Sequence, residues 1–558
     1  MKTFKKASLL TSYFILTLIS SLTAQLDTLG FIHPVKHNIR ISGNFGELRS
    51  NHFHSGIDIK STKGVSGDSI IAIQSGYISR IKIQLAGYGK AVYIDHPSGH
   101  TSVYAHLISF SPKIDSFILS KQRELESYTL DLYLEAGQFE INQADLVGLM
   151  GNTGRSTAPH LHFEIRDTQS EEPMNPLLFG FDITDNIPPE LELVSFYGLD
   201  KNKIPINTKS IKNFNTQDIY IDAWRTGLGI QAFDYIDGSW NMTGIYKSKI
   251  TVDDSLVFES KFDRFSFNQT RFINACIDYK AKKDFAKKTL LCYRQPGNQL
   301  ELYRQSAYDG IIELFKDTPR NVKLEISDQS ENIKTYHFNL FRKNPVSSLP
   351  DRNFSHYINY DQVYTFEDSL ISLNFPENTF YKDEMIDIKC EGNMPGSRLQ
   401  VGNFKIPAHK FFNITAKLSD GLKKRDKLCI VYLDEGSVKS IGGLIDGHLL
   451  KASTNRMGRF EIRYDTIAPT LKWITKKSQI KSNKTIKVWM KDNLGALGQA
   501  NDPSWKVTLN NEWIYSEFDI KTNLISFQIP KDYRKPGNVL KIQSSDDRNN
   551  VNVLEHTF

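Results

Sequence analysis

Cysteine is scarce in this chain: four in 558 residues, at positions 276, 292, 390 and 429, and none in a CxxC pair. That excludes a metal site built on paired thiolates. The four fall as two close pairs, Cys276 with Cys292 and Cys390 with Cys429. Two local bridges and four buried thiols in strands are both open readings. Long apolar runs are missing beyond Leu22, so no later segment reads as a membrane-spanning helix. Heptads and a glycine-rich phosphate loop are missing too. Charge is nearly balanced, with 69 Lys and Arg against 63 Asp and Glu. A surplus of +6 over this length is too small to point to nucleic acid. With 40% hydrophobic and 24% charged residues, the composition excludes a disordered, collagenous or polytopic membrane chain. The length predicts about four domains.

The N-terminus carries a targeting pattern. Lys2, Lys5 and Lys6 precede an apolar stretch from Ala7 to Leu22, and Ala24 offers a small-residue cleavage site. This reads as a secretory signal peptide over residues 1–24. No Cys follows the apolar run, so a lipid anchor is not expected. The expectation is an exported protein, in the periplasm of a two-membrane cell, with the cell surface or medium as alternatives.

Histidine is unevenly spread. Of 14, nine lie between His33 and His162. Three stretches there carry chemistry. In His54-Ser-Gly56-Ile-Asp58 an imidazole and a carboxylate stand four apart, both good ligands for Zn²⁺. Gly56 between them is expected to take φ > 0 and fold both side chains onto one ion. The second stretch is Tyr104-Ala105-His106-Leu107. The third, Pro159-His160-Leu161-His162-Phe163-Glu164-Ile165-Arg166, alternates polar and apolar residues as a half-buried strand does. Its two imidazoles at i and i+2 share one face. One can bind a metal while its neighbour meets water.

Together these stretches resemble the lysostaphin/LytM-type zinc endopeptidases of bacterial cell walls, over residues 31–176. The resemblance implies that His54, Asp58 and His162 bind Zn²⁺. It implies that His160 is the general base and that His106 helps hold the developing oxyanion. The implied fold is a small antiparallel β-domain (the duplicated hybrid motif) with a groove across one sheet. Ala158 stands where the family has Gly before Pro-His-Leu-His. His52, His96 and His100 match no ligand position and read as structural or exposed. Residues 111–143 form an insertion, helix-like over Lys121–Glu135, that reads as a surface addition or as a lid over the groove.

The whole chain reads as mainly β. A LytM-type domain over residues 25–185 precedes an immunoglobulin-like β-sandwich at 186–343, a β-rich domain at 346–464 and a second immunoglobulin-like sandwich at 465–558. Asp185-Asn-Ile-Pro188-Pro189 and Asp465-Thr-Ile-Ala-Pro469 open the two sandwiches, each placing Pro before an apolar strand. Trp473, Trp489, Trp505 and Trp513 read as sandwich core rather than as a glycan platform. The expected function is a secreted zinc endopeptidase acting on peptidoglycan peptide stems, with envelope proteins as further partners of the β-domains and no nucleic acid. The alternatives are a catalytically silent regulator of another wall hydrolase and an adhesin.

Overall fold

The computed structural model describes residues 29–214, 217–305, 307–345, 355–393, 395–434, 436–481, 485–496 and 504–558. The expected signal peptide lies outside them. Strands make up 45% of the chain and helices 9%, the mainly β class that the sequence predicts.

In chain order the N-terminal domain holds β1 (Ile41–Gly43), β2 (Ile57–Lys60), β3 (Ser69–Ile71), β4 (Gly76–Ile83), β5 (Lys90–Asp95), β6 (His100–Ala105), β7 (Ser109–Phe110), α1 (Pro112–Glu124), β8 (Leu130–Tyr133), β9 (Glu140–Ile141), β10 (Leu146–Leu149) and β11 (His160–Asp167). The main sheet runs β1-β2-β11-β6-β5-β4-β8, and a smaller sheet runs β3-β10-β7. Apolar side chains of both sheets share one core. Strand β11 sets the logic. Leu161, Phe163 and Ile165 belong to that core, so the period of two sends His162, Glu164 and Arg166 to the opposite face. Its register with β2 places His162 directly across from Asp58.

The insertion is organised differently from its sequence expectation. The helix lies earlier, over Pro112–Glu124, with proline in its first turn and Ile114 and Ile118 buried. Leu130–Tyr133, expected to be helical, is the edge strand paired with β4. The helix is fixed by its apolar face, and β8 stands at the far edge of the sheet from β11.

Beyond this domain, sheets pack in pairs around three further cores. Two six-stranded sheets span Glu190–Arg342. A five-stranded and a six-stranded sheet hold most of 364–464, the latter joined by the short strand Gly495–Ala496. Two four-stranded sheets close the chain. Trp473 and Trp505 pack half-buried against the last core. All four cysteines are free thiols, so no bridge forms, but they are not four buried strand thiols: Cys390 is half-buried and Cys276 ends a short helix. Burial pushes Cys276 and Cys292 up to about 12.

The domains interlock. Phe45 and Phe53 of the N-terminal domain are buried in the core of the second, against Phe262 and Phe265. Asn44 Nδ2 donates to Gly244 O at 2.6 Å, and Gly244 N donates back to Asn44 Oδ1 at 2.8 Å. Arg271 of the second domain donates to Ala408 O of the third at 2.8 Å. Arg548 of the last domain donates to Gly443 O at 2.8 Å. The last domain also returns to the first. Lys90 Nζ donates to Glu517 Oε1 at 2.9 Å, Lys521 donates to Asn152 O, and Tyr128 of the insertion lies between Trp505 and Tyr515. Phe53 stands one residue before His54, so its burial holds that histidine's loop. Phe53→Ala is expected to cost about 3–5 kcal/mol in a denaturant melt, the range for a buried Phe.

Candidate metal centre

Three ligand atoms converge at the junction of β2 and β11. His54 Nε2, Asp58 Oδ1 and His162 Nδ1 stand 2.9, 3.0 and 3.1 Å apart, and all three residues are buried. Tetrahedral zinc with bonds of about 2.0–2.1 Å spreads its donors to about 3.3 Å, so an outward shift of a few tenths of an ångström admits the ion.

The outer atom of each residue is already committed. His54 Nδ1 donates to Asn44 O at 2.7 Å, which leaves Nε2 bare. His162 Nε2 donates to Glu164 Oε1 at 2.8 Å, which leaves Nδ1 bare. Asp58 Oδ2 accepts from Arg49 at 2.8 Å, which leaves Oδ1 for the centre. Burial works against the Asp58 carboxylate, but His54, His160 and His162 outweigh it and hold its pKa well below the usual range. The donor set thus fits a divalent metal in tautomer, charge and spacing.

Glu164 went unassigned at the level of sequence, although it stands two residues from His162 on the same strand face. Its carboxylate is fully buried. It accepts from Tyr88 at 2.6 Å, from Arg166 Nε at 2.7 Å and from Ser55 at 2.5 Å, besides His162. Burial opposes its charge, yet Arg166 and His162 outweigh that and hold its pKa well below the usual range. For His162 burial likewise disfavours the charged ring, but hydrogen bonds to Asp58 and Glu164 prevail and raise it to about 9. Without a metal, then, a proton occupies the centre.

The other two histidines flank the site. The rings of His106 and His160 lie 4.8 Å apart, and His106 is 5.8 Å from His162. His160 Nδ1 donates to Ala158 O at 2.8 Å, and His160 Nε2 stands 3.4 Å from Asp58 Oδ1. His106 takes φ +62°, a left-handed turn at the end of β6, and its Nδ1 donates to Thr153 O at 2.8 Å. Burial and the neighbouring histidines push its pKa down to about 3, so the ring is neutral. Each ring therefore carries its proton on Nδ1 and presents a bare Nε2.

Two local expectations change. Gly56 does not adopt positive φ. It is needed because a Cβ there would lie 2.2 Å from Phe163 O on the neighbouring strand. The carbonyl of Ala158 accepts from Ser156 and His160, and a methyl at that position leaves both contacts in place. Of the unassigned histidines, His96 is buried between Ser75 O and Ser102, His100 packs on Phe31 and Phe179, and His52 is exposed.

Two measurements follow. Glu164→Gln is expected to weaken divalent-metal affinity about 10–100-fold in a chelator competition. The raised His162 pKa stabilises the metal-free fold fully below pH 6.5, the value of an unperturbed imidazole, and this is lost as pH rises through about 9. Metal-free protein is therefore expected to melt earlier across that window, while metal affinity climbs by up to about tenfold per pH unit as the proton leaves.

Comparison with known proteins agrees with this geometry. Residues 52–123 match the model of Peptidase family M23, and residues 355–465 match that of a Zu5-like domain. The DD-carboxypeptidase/endopeptidase Mpg of Neisseria meningitidis serogroup B (strain ATCC 13091 / M2091) is 32% identical over 151 residues, 26% of this chain and 28% of that protein. The Mpg protein of Neisseria gonorrhoeae gives the same identity and coverage. An uncharacterized metalloprotease of Haemophilus influenzae is 28% identical over 138 residues, 24% of each chain. This chain thus spans about a quarter of the length of the curated relatives it matches. The catalytic domain of lysostaphin from Staphylococcus simulans aligns at 23% identity over 25% of this chain and 92% of that one, with a TM-score of 0.19. The N-terminal part of this chain is a LytM-type metallopeptidase domain of Peptidase family M23.

Proposed function

We propose that this chain is a zinc-dependent endopeptidase that hydrolyses the peptide cross-links of peptidoglycan. The observation that carries the reading is the convergence of His54, Asp58 and His162, with His106 and His160 beside them. Two imidazoles and one carboxylate, with a fourth side left free, suit catalytic zinc. Bound there, zinc supplies Lewis acidity toward a peptide carbonyl and lowers the pKa of water to about 7.

The chain's own residues do the proton work. His160, with its proton fixed on Nδ1 by Ala158 O, accepts a proton from the attacking water at Nε2 and passes it to the departing amine. His106 begins as an acceptor, because Thr153 O holds its proton on Nδ1. It donates to an oxyanion, the part the resemblance assigns to it, only after taking up a proton at Nε2. Glu164 and Asn44 fix the tautomers of the two imidazole ligands.

The same proposal includes export to the periplasm, the immunoglobulin-like reading of residues 186–343 and 465–558, and their use in positioning the enzyme on the wall or on an envelope partner. The test is a digest of cross-linked muropeptides by residues 25–558 with and without chelator, read by mass spectrometry. Cleavage is expected to need metal. His160→Ala is expected to lower kcat about 10²–10⁴-fold with unchanged metal content, and His54→Ala is expected to lose the metal. Cleavage that survives both chelation and His160→Ala overturns the proposal. A folded, metal-loaded protein that binds muropeptides without cutting them favours the silent regulator instead.

A further inference from the structure

A second group of acids lies where the chain leaves the peptidase domain. Asp185 belongs to the connecting segment. Asp234 is the penultimate residue of strand Arg225–Tyr235, and Asp328 directly follows strand Arg320–Ser327. One carboxylate oxygen from each lies within 4.8 Å of those of the other two. The three residues are 8%, 1% and 1% exposed.

Among the described residues no Lys, Arg or His forms an ion pair with any of them. Asp185 accepts only from Ile187 N at 3.3 Å and Gln329 Nε2 at 3.1 Å. Asp328 accepts from Asn332 N at 2.9 Å and Asn332 Nδ2 at 2.8 Å. Both oxygens of Asp234 are sealed from solvent without a hydrogen-bond partner. Three buried carboxylates without a countercharge are unstable as they stand. Protons or a cation must neutralise them. Burial, reinforced by Asp185 and Asp328, pushes the Asp234 carboxyl up to about 8.

The donors are all oxygen, the set of a hard cation rather than of zinc. Calcium takes oxygens at about 2.3–2.6 Å, so donors on opposite sides of it stand about 4.6–5.2 Å apart. Three donors within 4.8 Å of one another can share one such ion. We propose that Asp185, Asp234 and Asp328 form a Ca²⁺ site that clamps the segment leaving the peptidase domain onto two strands of the next domain.

The frame around the site is used twice in the chain. Asn332 Nδ2 donates to Asp185 O at 3.0 Å as well as to Asp328, and Asn550 Nδ2 donates to Asp465 O at 3.0 Å and to Asp546 Oδ2 at 2.8 Å. Asp465 opens the last domain as Asp185 opens the second, and its Oδ2 is again buried without a partner. Among the described residues only the first copy brings three carboxylates into ligating range. The Ca²⁺ assignment is therefore made for that copy.

The test uses the full chain. Equilibrium dialysis after chelator treatment is expected to find one Ca²⁺ bound per chain in the wild type and in Asp58→Ala, whose zinc site is broken, and none in Asp234→Asn. Saturating Ca²⁺ is expected to raise the unfolding midpoint by about 5 °C, with Mg²⁺ giving a smaller shift. No bound Ca²⁺ in the wild type overturns the site. So does binding retained by a folded Asp234→Asn, which would mark surface acids, or an equal shift with Mg²⁺, which would remove the assignment to calcium. If Asp234→Asn does not fold, Asp185→Asn takes its place. The wild-type and Asp58→Ala counts then still decide whether a bound ion lies outside the zinc site.

Discussion

A single carboxylate with no access to water organises the catalytic face. Glu164 retains its charge only because Arg166, Tyr88, Ser55 and His162 all point at it. That arrangement fixes the proton of His162 on Nε2, turns Nδ1 toward Asp58 and so defines where a metal can sit. Arg49 does the same for the other side of Asp58. Along this face charges alternate, Arg49, Asp58, the centre, His162, Glu164, Arg166. The two acids are balanced by two arginines before any metal arrives. The Asp185–Asp234–Asp328 group has no such partners, which is why it calls for an ion or protons to be stable, whereas the catalytic centre merely accepts one.

Much of the centre was legible in the sequence because strand periodicity and motif spacing are local. The alternation from His160 to Arg166 gave both the strand and the face, and HxxxD and HxH supplied the three atoms that meet. What could not be read depends on register and on distant packing. Gly56 is dictated by Phe163 O, a backbone atom 107 positions away that only the β2–β11 pairing brings near. Glu164 was visible as a strand residue, but its importance comes from Tyr88 and Ser55, which lie far off in the chain. The helix of the insertion was misplaced because a Leu- and Lys-rich stretch suits an edge strand as well as a helix. Only pairing with β4 separates the two. The paired cysteines were open for the same reason, since spacing along the chain does not give distance across a core.

The tautomers of the two flanking histidines refine the mechanistic expectation. Backbone carbonyls hold both protons on Nδ1, so the rings begin as a matched pair of acceptors facing the same space. Burial and the neighbouring histidines make His106 hard to charge.

The burial of Phe45 and Phe53 in the neighbouring core bears on how such a chain can change over evolutionary time. A catalytic module that keeps its hydrophobic face to itself is portable and can be shuffled between genes. Here the loop bearing His54 borrows its foundation from the following domain, and the last domain leans back on Lys90 and Asn152. Recombination that moved residues 25–185 alone would strand two phenylalanines in solvent and loosen a ligand.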